Sequence, residues 1–293
     1  MKITPHLWFA TQARQAAEFY ASALPDSRVT QVRTLRNTPS GDVELVSFEL
    51  GGLGFMAISA GPLFTFNPSI SFLVGCATKD EVDALWATLS EAGRTHMPLG
   101  AYPFSERYGW TEDRYGLSWQ IMYMDDRPLR QSVIPTLMFT KQMAGRCEEA
   151  IGHYTSIFPG SRVDHILRYG SREAPETAGT VKHAGFALGG QDFAAMDSAG
   201  PHDFSFNEAI SLVVHCETQD EIDHVWARLS AVPQAEQCGW LKDKYGVSWQ
   251  VVPTIMGEMM QRGTKEQSGR VTAAFLKMKK FDITALKRAY EAD

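Results

Sequence analysis

The chain has 293 residues, of which 44% are hydrophobic and 21% are charged, a composition typical of a soluble globular protein with room for two ordinary domains. Its formal net charge is −6 and it has no basic run, so we do not expect nucleic acid as a partner. No signal-peptide pattern and no apolar run of membrane-spanning length occur, which leads us to expect a cytoplasmic protein without membrane contact.

The first 126 residues predict two βαβββ modules, one after the other. An apolar run predicts a strand at Ile3–Phe9, and an Ala-rich amphipathic segment predicts a helix at Ala13–Ala23. The pair Gly51-Gly52 is typical of a hairpin turn. The other predicted elements are, in chain order, strands Ser27–Arg36, Glu44–Leu50, Leu53–Ser59 and Ser69–Val74, helix Lys79–Ser90 with Thr78 as its N-cap, strand Gly93–Met97, a long loop, and strands Gly109–Thr111 and Ser118–Tyr123.

The rest of the chain repeats this order. DRYGLSWQ at Asp113–Gln120 returns as DKYGVSWQ at Asp243–Gln250, and LPDSRV, FNPSIS and TKDEVDALWATLS return as FPGSRV, FNEAIS and TQDEIDHVWARLS. About ten residues of the segment 91–107 are missing from the second copy. The sequence therefore indicates a tandem duplication.

The repeat sets the predicted domain organisation. We expect domain 1 at residues 1–126, a linker at 127–133, domain 2 at 134–255 and a C-terminal tail at 256–293. The tail is predicted to be helical at Lys265–Lys279 and, after the N-cap residue Asp282, at Ile283–Glu291.

Several of these segments resemble the PhnB-like branch of the vicinal oxygen chelate superfamily, often labelled 3-demethylubiquinone-9 3-methyltransferase-like. The resemblance rests on the ITPHLWF strand, the helix with its Phe-Tyr pair, and the segments LGGQDFAAMD and CGWLKDKYGVSWQVVP. It implies an α+β fold in which paired βαβββ modules form a cupped mixed sheet around a cavity, with the helices outside. The superfamily includes glyoxalases, extradiol dioxygenases, epoxide-opening enzymes and drug-binding proteins, so the fold does not select one activity.

The resemblance also implies how the copies combine. The cup of a short family member is commonly completed by a second subunit, and a tandem chain supplies both halves. We therefore predict an intrachain pseudo-dimer with two inequivalent cavities, of which the second is the more polar. The tail, from Met256 onward, is expected to clasp the other domain or a second chain.

Metal-binding members of the superfamily hold a divalent ion with His, Gln or Glu side chains that point into the cup. The corresponding positions in this chain are Pro5 and Pro135 for the first ligand, Ser69 and Ala209 for the middle His, and Gln120 and Gln250 for the final Glu. Proline has no ligand atom and a neutral amide brings no charge to the ion, so we expect neither a metal cage nor another cofactor. We interpret His6, one residue out of register, as a surface or helix-facing side chain. Glu44, opposed by Lys182 in the second copy, reads as a charge on an edge strand.

Two further kinds of site are not expected. The four cysteines (Cys76, Cys147, Cys216 and Cys238) lack the spacing of a zinc site. The chain also has no glycine-rich loop between a strand and a helix, which argues against methyl transfer from S-adenosylmethionine.

The two copies differ where a catalytic pair could lie. Aligned on the glycine pairs, His183 and Asp197 of the second copy replace Leu45 and Ser59 of the first. Strand alternation directs His183 towards the cup, and Asp197 belongs to the next strand. We therefore predict a His/carboxylate pair that acts as a general base or a partial metal site. The alternative is that His183 bonds to a neighbour and Asp197 caps a turn.

Ligand contacts are predicted at three positions in each copy. These are Cys238, Trp240 and Gln250 in the same cavity as His183, with Tyr108, Trp110 and Gln120 as their counterparts in the first copy. A Trp at both positions is more typical of a cavity wall or core than of a reacting group. Cys238 becomes a nucleophile only if His183 lowers its pKa.

The sequence leaves the function open among three classes. The first is a metal-independent protein that binds a small hydrophobic or aromatic molecule in its cup. The second is a lyase, isomerase or dioxygenase that uses His183 of the second domain, with Asp197 or Glu44 and a weakly held divalent metal. The third is a non-enzymatic scaffold that acts through the helical tail from Met256 onward.

Overall fold

The computed structural model describes residues 1–38, 41–125 and 130–292, except for the side chain of Asn37. The first copy contains strands β1 (Lys2–Phe9), β2 (Arg28–Thr38), β3 (Gly41–Leu50), β4 (Leu53–Ser59), β5 (Ile70–Cys76), β6 (Arg94–Tyr102), β7 (Ser105–Glu112) and β8 (Ser118–Tyr123), with helices α1 (Ala13–Ala23) and α2 (Lys79–Leu89). The second contains β9 (Val133–Phe139), β10 (Arg162–Arg168), β11 (Val181–Leu188), β12 (Gln191–Asp197), β13 (Ile210–Cys216), β14 (Trp240–Lys242) and β15 (Ser248–Pro253), with α3 (Cys147–Thr155) and α4 (Gln219–Leu229). The tail forms α5 (Thr254–Arg262), α6 (Lys265–Phe275) and α7 (Ile283–Glu291).

The strands form two mixed sheets, and each sheet takes strands from both copies. The seven-stranded sheet has the order β14-β15-β13-β1-β4-β3-β2, and the eight-stranded sheet has the order β10-β11-β12-β9-β5-β8-β7-β6. The copies meet at antiparallel pairs, with Leu7 opposite Ile210 in the first sheet and Ile70 opposite Leu137 in the second. The predicted α+β class with cupped mixed sheets is confirmed. The predicted division at residues 126 and 134 marks the repeat, but the sheets do not follow it.

The linker predicted at 127–133 lies partly outside the described residues. The described chain resumes at Arg130, and β9 begins at Val133. From there β9 enters the middle of the eight-stranded sheet, where it lies between β12 and β5.

Helices cover one face of each sheet. Both α2 and α4 begin at a capping box. The side chain of Thr78 or Thr218 accepts a hydrogen bond from the N–H of the third helical residue, a Glu, and the side chain of that Glu accepts one from the threonine N–H. Their buried residues share a large apolar cluster with alternate residues of the strands, such as Phe72 and Leu212. The other residues of those strands face the open side of each sheet, where the cups lie.

The repeated DxYGxSWQ segment is structural. In the second copy, the Asp243 carboxylate accepts hydrogen bonds from the Tyr245 and Val247 N–H groups at 2.8 and 3.0 Å. It also accepts from the Trp249 ring N–H at 2.8 Å and from the Tyr154 hydroxyl at 2.7 Å. Asp243 thus closes the turn before β15 and satisfies two buried aromatic side chains, one of them on α3.

The first copy uses the same device. The Asp113 carboxylate accepts from the Tyr115 and Leu117 N–H groups at 2.7 and 3.1 Å and from the Trp119 ring N–H at 2.8 Å. The repeated Asp, Tyr and Trp of the motif therefore have a structural role in both copies.

The prediction of a long loop after Met97 is wrong. The segment between Met97 and Gly109 continues β6 and β7 almost without a break, and only Pro103 and Phe104 lie between the two strands. The register of this hairpin shifts three times, and Pro98 is accommodated because β6 is an edge strand. The second copy lacks these residues, which explains why one sheet has eight strands and the other seven.

The tail covers the place of the missing strand. The N–H groups of Cys238 and Gly239, next to β14, donate to the carbonyls of Met278 and Lys279 at 2.8 and 2.7 Å. These bonds satisfy backbone N–H groups at the β14 edge of the seven-stranded sheet. In the eight-stranded sheet, the corresponding strand β7 pairs with β6 instead. The predicted tail helices are present at α6 and α7, and α5 was not predicted.

The tail also occupies the seven-stranded cup. Its apolar cluster, centred on Phe275 and Phe281, packs against Leu35 of β2 and Val252 of β15, strands near opposite edges of that sheet. Across the described residues, we find no helix that combines the length and apolarity a membrane span requires.

Candidate functional site

A cavity of about 620 Å³ lies on the open face of the eight-stranded sheet. One wall comes from β6–β8 of the first copy and includes Phe104, Tyr108 and Trp110. The facing wall comes from β10–β12 of the second copy and includes His165 and His183. The cavity is therefore built jointly by the two copies, and it falls in the size range of small-molecule sites.

The first wall presents aromatic and amide surfaces whose polar atoms already have partners. The Tyr108 hydroxyl donates to the Gln120 carbonyl oxygen at 2.8 Å, and the Gln120 amide donates to the Ser71 hydroxyl at 2.8 Å. The Trp110 ring N–H donates to the Ser118 hydroxyl at 2.8 Å. The structure thus places Tyr108, Trp110 and Gln120 in a cavity, and in the one that contains His183.

The second wall contains a histidine pair. His165 Nε2 and His183 Nδ1 are 3.0 Å apart, and the two rings stack with centroids 5.2 Å apart and planes inclined by 16°. Gly185 makes the arrangement feasible, because a Cβ at that position would lie 2.6 Å from His165 Cε1. His165 lines the cavity but was not among the predicted site residues. The signal was available, since the first copy has Gln31 at the equivalent place.

Asp197 does not join His183. Its carboxylate accepts from the N–H groups of Gly145, Cys147 and Val181 at 2.7, 3.1 and 3.0 Å, and the residue is 2% exposed. It lies on the helix-covered face of β12 with Ala195, whereas the intervening residue Met196 lines the cavity, as His183 does. Asp197 fixes the start of α3, and the expected His/carboxylate contact is wrong because the two side chains lie on opposite faces.

The other three predicted contact residues belong to the seven-stranded sheet. The Trp240 ring lies edge-on to His6, with centroids 5.7 Å apart, and the Gln250 amide donates to the Ser211 hydroxyl at 2.9 Å. Cys238 packs against the tail, and burial raises the pKa of its thiol. We expected these residues to share a cavity with His183. That expectation is wrong because each sheet combines one module from each copy, which places these residues and His183 in different sheets.

His6 differs from its predicted surface or helix-facing place. It is 4% exposed, lies in the seven-stranded sheet next to Trp240, and burial lowers its pKa to about 4. Within the described residues, its Nδ1 atom has no hydrogen-bond partner. A second, smaller cavity of about 190 Å³ lies elsewhere on this sheet, beside Lys2 and His215.

The side chains of the larger cavity do not fit the metal cage of the superfamily. Pro135, where the first ligand would be, has no donor, and both amide atoms of Gln120 are engaged by protein groups. No cluster of three or more His, Cys, Asp or Glu residues in ligating geometry occurs in the described part of the chain. The histidine pair supplies two imidazole donors, fewer than a stable site needs.

Known proteins resemble this chain in sequence and in fold. The family described as 3-demethylubiquinone-9 3-methyltransferase matches residues 1–122 and again residues 131–252. A PhnB protein of Bacillus cereus shares 35% identity over 42% of this chain and 99% of its own, with a TM-score of 0.39. Glyoxalase I of Zea mays shares 10% identity over 88% of this chain and 96% of its own, with a TM-score of 0.56, a likeness of fold. A comparison with curated proteins found no match.

Proposed function

The chain belongs to the family described as 3-demethylubiquinone-9 3-methyltransferase, and from this premise we propose that its larger cavity binds a small hydrophobic or aromatic molecule without a superfamily-type metal cage. One observation carries the proposal: the cavity is open, mostly apolar, and flanked by Trp110 and Tyr108, whose polar atoms are already bonded inside the protein. An aromatic ligand would gain burial and ring contacts there without displacing a protein hydrogen bond.

The activity in the family description is not what we propose for this chain. Methyl donors of the S-adenosylmethionine type are held by a glycine-rich turn between a strand and a helix, and the sequence has none. Calorimetry with S-adenosylmethionine tests this point directly, and micromolar binding would contradict it.

Binding is tested with aromatic probes and matched tryptophan variants. Trp110→Ala removes a wall of the larger cavity, whereas Trp240→Ala changes the equivalent residue in the other cup, which the tail occupies. We expect Trp110→Ala to weaken binding of 2-naphthoate at least about tenfold, or ~1.4 kcal/mol, and Trp240→Ala to leave it within about threefold. Circular dichroism verifies that both variants fold. Equal losses in the two variants would contradict the assignment.

A metal-dependent lyase, isomerase or dioxygenase is the second candidate. It is favoured by the His165–His183 pair, because two imidazoles on adjacent strands are suitable donors for a transition metal. Elemental analysis of protein purified without chelator or affinity metal, together with native mass spectrometry, separates the candidates. Stoichiometric metal that is lost in His183→Ala would support the enzyme. A retained organic molecule without metal would support the binding protein.

A further inference from the structure

Most polar groups that line the larger cavity are bonded within the protein. Beyond the bonds of Tyr108, Trp110 and Gln120, Gln131 donates through its amide to the Asp192 carbonyl at 3.1 Å and accepts from the Asp192 N–H at 3.1 Å. A ligand group placed against these residues would have to break existing bonds, which costs more than it returns.

The charged groups at the cavity are paired as well. Arg130 contacts Asp164 at 2.9 Å and Asp192 at 3.3 Å, and Lys182 forms an ion pair with Glu173. The net effect of these groups on a ligand is small, because each charge has its opposite within hydrogen-bond distance.

The neighbouring phenols remain neutral. Tyr169 and Tyr108 face the same space, and burial raises the pKa of Tyr169 to about 12 and that of Tyr108 further. Neither tyrosine therefore supplies a charge at neutral pH.

Among the uncharged polar side chains that the structure describes on this wall, His165 has a ring nitrogen available for a ligand. Its Nε2 atom bonds to His183, and the structure gives its Nδ1 atom no protein partner within the described residues. In a bond between two neutral imidazoles one ring donates and the other accepts, so when His183 Nδ1–H donates to His165 Nε2, His165 carries its own proton on Nδ1 as a hydrogen-bond donor.

We propose that the molecule bound in this cavity carries an acidic oxygen, as a carboxylate or phenolate, which accepts a hydrogen bond from His165 while its aromatic body lies against Trp110. The inference rests on the proposed binding function. The charged oxygen of the ligand accepts a hydrogen bond from His165, no covalent bond forms, and the hydrogen bond is strengthened by the charge of its acceptor. His183 and Gly185 are positioning residues, because they orient the His165 ring and leave space for it.

The test compares 2-naphthoate with 2-naphthamide, which have the same ring system but differ in charge. Isothermal titration calorimetry gives the affinity of the protein for each probe. For the wild-type chain we expect naphthoate to bind at least about tenfold more tightly than naphthamide, a difference of ~1.4 kcal/mol, because a charged oxygen accepts the stronger hydrogen bond.

Three variants assign the effect to the pair. His165→Gln should bring the two affinities within about twofold, while naphthamide binding persists. Gly185→Ala should do the same by displacing the His165 ring, whereas Gly152→Ala, at an exposed helical position with nothing within 4 Å of the new Cβ, should not. Gln31→Ala, the equivalent of His165 in the first copy, should leave both affinities unchanged.

The outcomes separate the two proposals. Equal binding of both probes by the wild-type chain would overturn the acidic-oxygen inference and leave the apolar cavity standing. Failure of both probes to bind at millimolar concentration would overturn the binding function itself. Naphthoate preference that survives His165→Gln would overturn the role of the histidine pair.

Discussion

Replacing Asp243 with Asn tests the structural reading of the repeated motif. One carboxylate oxygen of Asp243 accepts from two backbone N–H groups, and the other accepts from the Trp249 ring and the Tyr154 hydroxyl. In the variant, the side-chain amide would face the Trp249 N–H, donor against donor, while the tyrosine hydroxyl could rotate to accept. The site is 1% exposed, so no water replaces the lost acceptor.

An unsatisfied buried donor costs about 1–3 kcal/mol, and the loss of the charged acceptor weakens the remaining bonds, so we expect a destabilisation of about 2–4 kcal/mol. For a chain of this size that corresponds to a fall in Tm of roughly 3–7 °C. Near-ultraviolet circular dichroism, which reports the buried aromatic rings, follows the transition. Asp203→Asn, at an exposed position, is the matched control. A shift of Asp243→Asn within about 1 °C of that control would refute the assignment.

Three further predictions concern the seven-stranded cup. Because burial lowers the pKa of His6 to about 4, the unfolded chain binds a proton below pH 6.5 that the folded chain rejects, so the contribution of His6 to stability should fall between pH 6.5 and 4 by up to about 3 kcal/mol. Burial also lowers the pKa of His215 to about 4, so His6→Leu should reduce, without abolishing, the slope of a urea-midpoint profile in this pH range. Truncation after Pro253 should expose the edge of β14 and open this cup, detected as new binding of an apolar fluorescent dye, and unchanged dye binding would contradict the plugging role. Gly239→Ala should loosen the tail, because its Cβ would lie 2.6 Å from Phe281 in a left-handed backbone conformation, and limited proteolysis should then cleave the tail faster than in wild type.

The order of elements could be predicted because each is encoded by local patterns that occur twice. The capping residues Thr78 and Thr218 indicate where α2 and α4 begin, and the alternation of apolar and polar residues indicates the strands. The prediction of a loop at Pro98–Tyr102 was wrong because proline and glycine usually mark loops, whereas an irregular edge strand tolerates both.

Strand partners were harder to predict than strands. The pattern that makes β11 a strand also fixes which face His183 presents, and that prediction agrees with the cavity lining. Which sheet completes the cavity depends on pairs such as Ile70 with Leu137, far apart in the chain, and alternation within a segment carries no information about them. The predicted contact between His183 and Asp197 was wrong for a similar reason, because the partners of Asp197 are backbone groups at the start of α3, far from it in the chain.

The joint construction of the two cups has a consequence for how this chain could have diversified. In a symmetric homodimer, every substitution appears in both cups at once, so a histidine that suits one ligand is imposed on both sites. Once the two copies are joined, the halves that meet in the eight-stranded sheet are different genetic segments from those that meet in the seven-stranded one. One cup was then free to acquire His165 and His183, while the other could be filled by the tail without loss of the first. Joining the copies thus broke a symmetry, and each cup became able to change alone.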